Sequence, residues 1–236
     1  MKPRYRAPWV WSLCFGLACA LVLMWPALDL WIALQFYAQN GHFSMGQWWP
    51  VQAVYVWAPP LGWVLTCGLL AVVGWRWWRP RQVRVGLWRQ AVAWLLVAVL
   101  GIGLVVHEGL KDQVGRPRPN QVIDMGGSVP YVPALQVSTA CERNCSFVSG
   151  HASVGFCLLA LGMWAAPSRR RRWLWLGLLV GSGVGGVRMV QGGHYFSDIL
   201  FAFLAIWGTA LLVREVWLRV RWWQLRRRSA AAGRRL

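Results

Sequence analysis

The chain has 236 residues, of which 57% are hydrophobic and only 14% charged, and it carries a formal net charge of +18. Its apolar residues come in long blocks instead of at amphipathic intervals, which excludes an ordinary soluble domain and is the pattern of membrane spans. The basic excess sits at the ends of those blocks, which argues against a nucleic-acid partner.

A hydrocarbon core about 30 Å thick takes roughly 20 helical residues to cross. The charge-poor windows are, in chain order, 7–28, 54–75, 90–110, 147–167, 173–191 and 196–217. The first follows MKPRYR and has the outline of a signal peptide, but its apolar run is too long for an h-region and it is read as a retained span. The second contains Pro59-Pro60 and is expected to kink or to start late. In the fifth and sixth the charge-free cores are short, so arginines at their ends must snorkel.

These windows predict an all-α integral membrane protein, a six-transmembrane-helix bundle over residues 1–218 with a basic tail at 219–236. The RRRSAAAGRRL end is expected to be disordered and held near anionic lipid. With six spans, Lys2, Arg4 and Arg6, the arginines between 76 and 89, Arg169 to Arg172 and the eight arginines from 214 onward all fall on one face. By the positive-inside rule that face is cytoplasmic, as are both termini. Lys111, Arg116, Arg118, Arg143 and Arg188 are left for the opposite side, where the rule predicts few cations.

The longest outer segments, 29–53 and 111–146, are too short to bury a core of their own. Trp48-Trp49 and the Trp-rich span ends read as interfacial anchors. Cys14, Cys19, Cys67 and Cys157 lie inside spans and read as small buried thiols. Cys141 and Cys145 lie in the outer loop, where a local disulfide and a free pair both stay open. A lone CxxxC lacks the ligand count that zinc needs.

Three polar stretches interrupt this apolar chain, and counting spans puts all three at the outer face. Lys111 and Arg118 lie in KDQVGRPRP; Ser149, Gly150 and His151 lie in FVSGHAS; Arg188, His194 and Asp198 lie in VRMVQGGHYFSD. Lysine and two arginines suit the oxygens of a phosphate. A Ser-Gly pair opening a helix adds backbone N–H groups and the positive end of the helix dipole. Two histidines and an aspartate supply nucleophilic attack and proton transfer. His194 and Asp198, at i and i+4, share a helix face if the sixth span begins that early, so that the carboxylate fixes the imidazole tautomer.

These residues resemble the three motifs of the type 2 phosphatidic acid phosphatase superfamily. Lys111, six residues and Arg118-Pro119 stand for the first, Val148-Ser149-Gly150-His151 for the second, and Val187-Arg188, His194 and Asp198 for the third. Val148 replaces the usual proline and Val187 the usual serine. The resemblance implies His194 as a nucleophile forming a phosphohistidine, Asp198 as its orienting partner and His151 as general acid and then base. It implies that Lys111, Arg118, Ser149, Gly150 and Arg188 hold the phosphoryl group, with no metal and no cofactor. His42, in an outer GHF turn, and His107, at the end of the third span, read instead as structural hydrogen-bonding groups.

Among family members, the six spans point away from the soluble acid phosphatases and haloperoxidases and toward a lipid phosphate or pyrophosphate at the membrane boundary. LDLWIALQFY and CERNCSFVSGHAS look like the bacterial branch that includes lipid A 1-phosphatases. Lipid A 1-phosphate or a related envelope lipid therefore ranks first, with undecaprenyl pyrophosphate, phosphatidylglycerol phosphate and phosphatidic acid as alternatives. The expected location is the bacterial inner membrane, with the site facing the periplasm and no nucleic-acid partner. A lipid phosphotransferase using the same intermediate is a rival. An anion transporter is another, disfavoured because the ionisable residues gather at one face instead of lining a mid-span path.

Overall fold

A computed structural model describes residues 7–38 and 41–232, and these form an all-helical chain. No strand is present among the described residues, where Val122 and Val129 make an isolated bridge. The helices are α1 (Ala7–Met24), α2 (Leu28–Leu34), α3 (Trp49–Trp78), α4 (Val85–Val97), α5 (Asp112–Val114), α6 (Gly150–Phe156), α7 (Pro167–Val190) and α8 (Phe196–Ala232). Helix α4 runs on as a π-helix, Ala98–Lys111, and α6 runs on in 3-10 form, Cys157–Gly162.

Four segments are long and apolar enough to cross a membrane: α3, α4 with its π extension, α7, and α8 as far as Arg227. A fifth is reached if α1 and α2, bent by 78° at their junction, count as one span. The expected window at 147–167 is where the six-span expectation meets a shorter element. Seven α-helical and six 3-10 residues rise only about 22 Å, short of the roughly 30 Å hydrocarbon core. The helix begins late because residues 146–149 are bound into the polar cluster described below, and Pro167 already opens the next helix.

Two other expectations differ in detail. Helix α3 begins at Trp49 with Pro50 in its first turn, where a missing N–H costs little, and continues through Pro59 and Pro60. Helix α8 continues to Ala232, so the stretch expected to be a disordered tail is helical up to that point, and 233–236 lie outside the described residues. Arginine, leucine and alanine are good helix formers, and Arg226 and Arg227 lie over Trp222 and Trp223, each 3.6 Å from the ring centroid.

Helix α6 is the axis of the bundle. Phe156, Cys157 and Ala160 are almost wholly buried in the main apolar core, while Trp57, Leu61, Trp175 and Leu179 on α3 and α7 point outward. This suits helices whose outer faces meet lipid. At position 155 an added Cβ would lie 2.7 Å from the backbone of Gly181, so glycine lets α6 and α7 pack backbone against backbone. A second, smaller core joins Ala33 of α2, Val122 and Met125 of the outer loop, and Tyr195 just before α8. It seats α2 over the start of α8.

Candidate active site

The helix ends at one side of the bundle deliver the polar residues. Lys111 closes the π-helix, Arg116 and Arg118 follow α5, Ser149 caps α6, Arg188 is in the last turn of α7, and Asp198 is in the first turn of α8. An acid in a first turn also faces the positive end of the helix dipole.

At the base of the cluster lies Arg116, with no solvent exposure. Its Nη1 donates to Asp198 Oδ1 at 2.8 Å and to Ser197 Oγ at 2.9 Å; Nη2 donates to Asp29 Oδ2 at 2.9 Å and Nε to the Val132 carbonyl at 2.9 Å. The plane also stacks on Tyr195, 4.0 Å from the ring centroid. Burial alone would lower its pKa, but the carboxylates of Asp198 and Asp29 outweigh that and hold it above the ordinary arginine value. The result is a permanent buried cation between two carboxylates.

Asp198 is equally enclosed. Besides Arg116, it accepts from Ser146 Oγ at 2.5 Å and from the Tyr195 backbone N–H at 2.8 Å, both on Oδ2. His194 Nδ1 lies 3.4 Å from the same oxygen but only 2.8 Å from the Ser146 carbonyl. A carbonyl oxygen only accepts, so Nδ1 must carry the proton. In the neutral ring Nε2 is then the unprotonated nitrogen. His194 is 2% exposed, and burial holds its pKa below the usual histidine value, so the neutral form prevails at neutral pH.

Above His194 the other charges converge. Arg188, His194, Lys111 and Arg118 all act electrostatically on His151. The His151 ring packs on Tyr55, with centroids 5.5 Å apart, and Arg188 lies over the same tyrosine at 4.6 Å. Arg188 Nη1 donates to Gln191 Oε1 at 2.5 Å, while its buried Nε has no hydrogen-bond partner among the described residues. Arg118 donates to the Asn144 carbonyl from Nη2 at 2.7 Å and from Nε at 3.2 Å, and burial lowers its pKa.

Ser149 and Gly150 stand at the start of α6. The Ser149 hydroxyl caps α6 by accepting from Ala152 N–H at 3.4 Å, and its own N–H donates to the Asp198 carbonyl at 3.2 Å. Its side chain is fully buried, and its hydroxyl is engaged in the helix cap. A Cβ at position 150 would come within 3.3 Å of His107 Nε2, which places His107, set aside on sequence grounds, directly against the second motif. Among the described residues no group of three His, Cys, Asp or Glu forms a metal-ligand set.

Residues 92–223 match the PAP2 superfamily, more than half of the chain. The chain belongs to that superfamily. It is 31% identical over 211 residues to a lipid A 4'-phosphatase of Francisella tularensis subsp. novicida, covering 87% of this chain and 93% of that protein. It is also 32% identical over 127 residues to a lipid A 4'-phosphatase of Rhizobium etli, covering 54% of this chain and 46% of the relative. A lipid A 4'-phosphatase of Rhizobium leguminosarum is 32% identical over 107 residues, 45% of this chain and 46% of that protein. No solved structure matches.

As a PAP2 superfamily member the protein is a phosphatase with several apolar, membrane-length helices. Its three motifs meet in one cluster, but the cluster contains more than the motifs. Asp29, Arg116 and Ser146 were missed as site residues. Arg116 was visible only as a cation against the charge rule, and Asp29 only as the single acid of LDLWIALQFY. The outer-loop cysteines are joined: Cys141 and Cys145 form a disulfide with a Cα–Cα distance of 5.7 Å.

Proposed function

We propose that this PAP2 phosphatase hydrolyses the phosphate of a lipid at the outer, periplasmic face of the bacterial inner membrane through a phosphohistidine on His194. The observation that carries the reading is the 2.8 Å contact of His194 Nδ1 with the Ser146 carbonyl. It fixes the proton on Nδ1 and leaves Nε2 to attack the phosphorus.

As the Nε2–P bond forms and the bond from phosphorus to the lipid oxygen breaks, His151 gives its proton to that oxygen. Asp198, 3.4 Å from Nδ1, stabilises the imidazolium that develops. Lys111, Arg118 and Arg188 take up the charge on the equatorial oxygens, which is the work a metal ion would otherwise do. His151 then removes a proton from water, the oxygen attacks phosphorus, the N–P bond breaks and inorganic phosphate leaves. The unpartnered Nε of Arg188 supports its role in the clamp. Gly150 contributes through the helix start, and Ser149 by keeping that start in place.

Lipid A is the substrate favoured by the relatives, and their names favour its 4'-phosphate over the 1-phosphate ranked first on sequence. The Cys141–Cys145 disulfide supports an oxidising compartment for this face. In the full arrangement, α1 with α2 and the short α6 serve as the first and fourth of six spans, both termini are cytoplasmic, and 219–236 form a basic segment beyond a 1–218 phosphatase domain.

The test is phosphate release by purified protein, in EDTA, from lipid A, undecaprenyl pyrophosphate, phosphatidylglycerol phosphate and phosphatidic acid, with mass spectrometry locating the phosphate lost from lipid A. His194→Ala is expected to be inactive. His151→Ala is expected to slow both formation and breakdown of the intermediate, and an acid-labile phosphoprotein is expected in the parent during turnover but not in His194→Ala; activity in His194→Ala would refute the mechanism. Phosphate moving to a lipid acceptor instead of water would favour a phosphotransferase.

A further inference from the structure

A cavity of about 960 Å³ opens between α3, α4 and α8, near the upper end of the range for ligand sites. Its lining changes character along its length. Leu96, Leu100 and Leu212 line it toward one end of α4 and its extension, and Trp88, Arg89, Trp217 and Arg221 line it toward the other. The two tryptophan rings lie 6.3 Å apart. From Leu100 to Arg89 along α4 and its extension is about 16 Å of helical rise, and the groove continues past Arg89 to Val85. That matches the length of one fatty acyl chain below a headgroup.

The charged end is unbalanced. Helices α3 and α4 contain no Asp or Glu, and the acids of α8 are Asp198 and Glu215. Asp198 belongs to the active site, and Glu215 is paired with Arg219 at 2.8 Å. Arg76, which also lines the groove, is held by the carbonyls of Pro80 and of Val83, the latter at 2.7 Å. Its cationic head is therefore anchored at the mouth. Three arginines facing a groove without a carboxylate, above an apolar slot open to lipid, complement an anion that carries a hydrocarbon tail. A soluble anion would satisfy the arginines and leave the apolar slot uncovered.

We infer that this groove binds one anionic phospholipid, its phosphate at Arg89 and Arg221 and an acyl chain between Leu96, Leu100 and Leu212. Arg221 is 23 residues beyond Asp198 on α8, about 35 Å by helical rise. The site is therefore at the opposite membrane boundary from the phosphatase centre, and it binds a resident lipid there instead of the substrate. A phospholipid seated here joins the end of α3 and the start of α4 to the distal part of α8, which stabilises the bundle.

The test uses the full chain in neutral detergent with phosphatidylglycerol, phosphatidylcholine or inorganic phosphate added, read by thermal midpoint and by lipid retained in native mass spectrometry. Phosphatidylglycerol is expected to raise the midpoint and to stay bound at one copy, with phosphatidylcholine and phosphate doing neither. Arg89→Gln with Arg221→Gln should lose the retained lipid while keeping phosphatase activity in detergent. Leu212→Trp, which fills the slot and keeps every charge, should lose it too. Exchanging Arg169 to Arg172 for glutamine should not. Equal retention by the groove variants and the parent, or equal loss in the 169–172 variant, would overturn the proposal.

Discussion

Arg116 bridges Asp29 and Asp198, donating from Nη2 to the first at 2.9 Å and from Nη1 to the second at 2.8 Å. Asp29 also accepts from the Ser197 N–H at 2.9 Å and from the Ser197 hydroxyl, so α2 is tied both to the arginine and to the first turn of α8. The carboxylate beside His194 is thus positioned through a residue 169 positions away along the chain. Asp29→Asn keeps the shape and the acceptor for Ser197 but removes one of the two charges facing Arg116. Weakening a charge-assisted hydrogen bond is worth about 1.5–3 kcal/mol, or roughly ten- to a hundredfold in rate. The expectation is a loss of kcat in that range with KM changed less than about threefold, since the partners of Asp29 are Arg116 and Ser197 and not the cations proposed to meet the phosphate. Arg116→Met, which leaves two buried carboxylates without a cation, should cost about 3–5 kcal/mol of stability and be read as a lowered thermal midpoint.

This bridge marks where the sequence stops being informative. Lys111, Arg118, His151, Arg188, His194 and Asp198 stood out because each is polar in an apolar chain and sits at a fixed spacing within a motif. Arg116 and Asp29 have no partner nearby in sequence, and their pairing depends on the 78° bend that folds α2 back over α8. Ser146 acts mainly through its backbone carbonyl, which any residue type provides. Hydropathy located the apolar segments well, but it cannot register that residues 146–149 are taken out of a helix by hydrogen bonds to Asp198 and His194. That is why the fourth window held a shorter helix than expected. The prolines of α3 do not delay its start, since the helix begins at Trp49 and runs through Pro59 and Pro60, which a membrane helix tolerates.

Gly193 leaves room for the Arg188 guanidinium beside the turn that carries His194. A Cβ at position 193 would lie 2.4 Å from Arg188 Nη2, so Gly193→Ala must push the guanidinium away. Displacement of a clamp by about 1 Å costs on the order of a hundredfold in rate. The variant is expected to lose ten- to a hundredfold in kcat/KM while its thermal midpoint stays close to that of the parent. Arg188→Ala in the Gly193→Ala background should then add little, and fully additive losses in that double-mutant cycle would show that the glycine acts elsewhere.

The Cys141–Cys145 disulfide frames Asn144, whose carbonyl receives both Nε and Nη2 of Arg118. Opening the ring is expected to free that carbonyl and loosen Arg118, one of the cations of the proposed clamp. Reduction, or Cys141→Ser with Cys145→Ser, should raise KM about three- to tenfold, the range of one modest hydrogen bond, with a smaller effect on kcat. Arg118→Ala protein should show no further response to reductant. If reductant still raises KM in that variant, the disulfide acts by another route than Arg118.

The buried, neutral His194 predicts how both activity and stability respond to acid. Burial lowers its pKa from an ordinary value of about 6.5. In the unfolded chain the residue takes up a proton near that ordinary value, whereas in the folded protein it stays neutral to lower pH. Below about pH 6.5 the unfolded state therefore binds more protons, and folding stability falls by up to about 1.4 kcal/mol per pH unit until the folded histidine titrates. His194→Gln removes that contribution and should flatten the decline in thermal midpoint as the pH falls below about 6.5. If His194 is the attacking group, the acid limb of kcat/KM follows the folded histidine and should fall only at a pH below the ordinary value of about 6.5. Identical midpoint slopes in parent and variant below that pH would mean that His194 is not held neutral by burial.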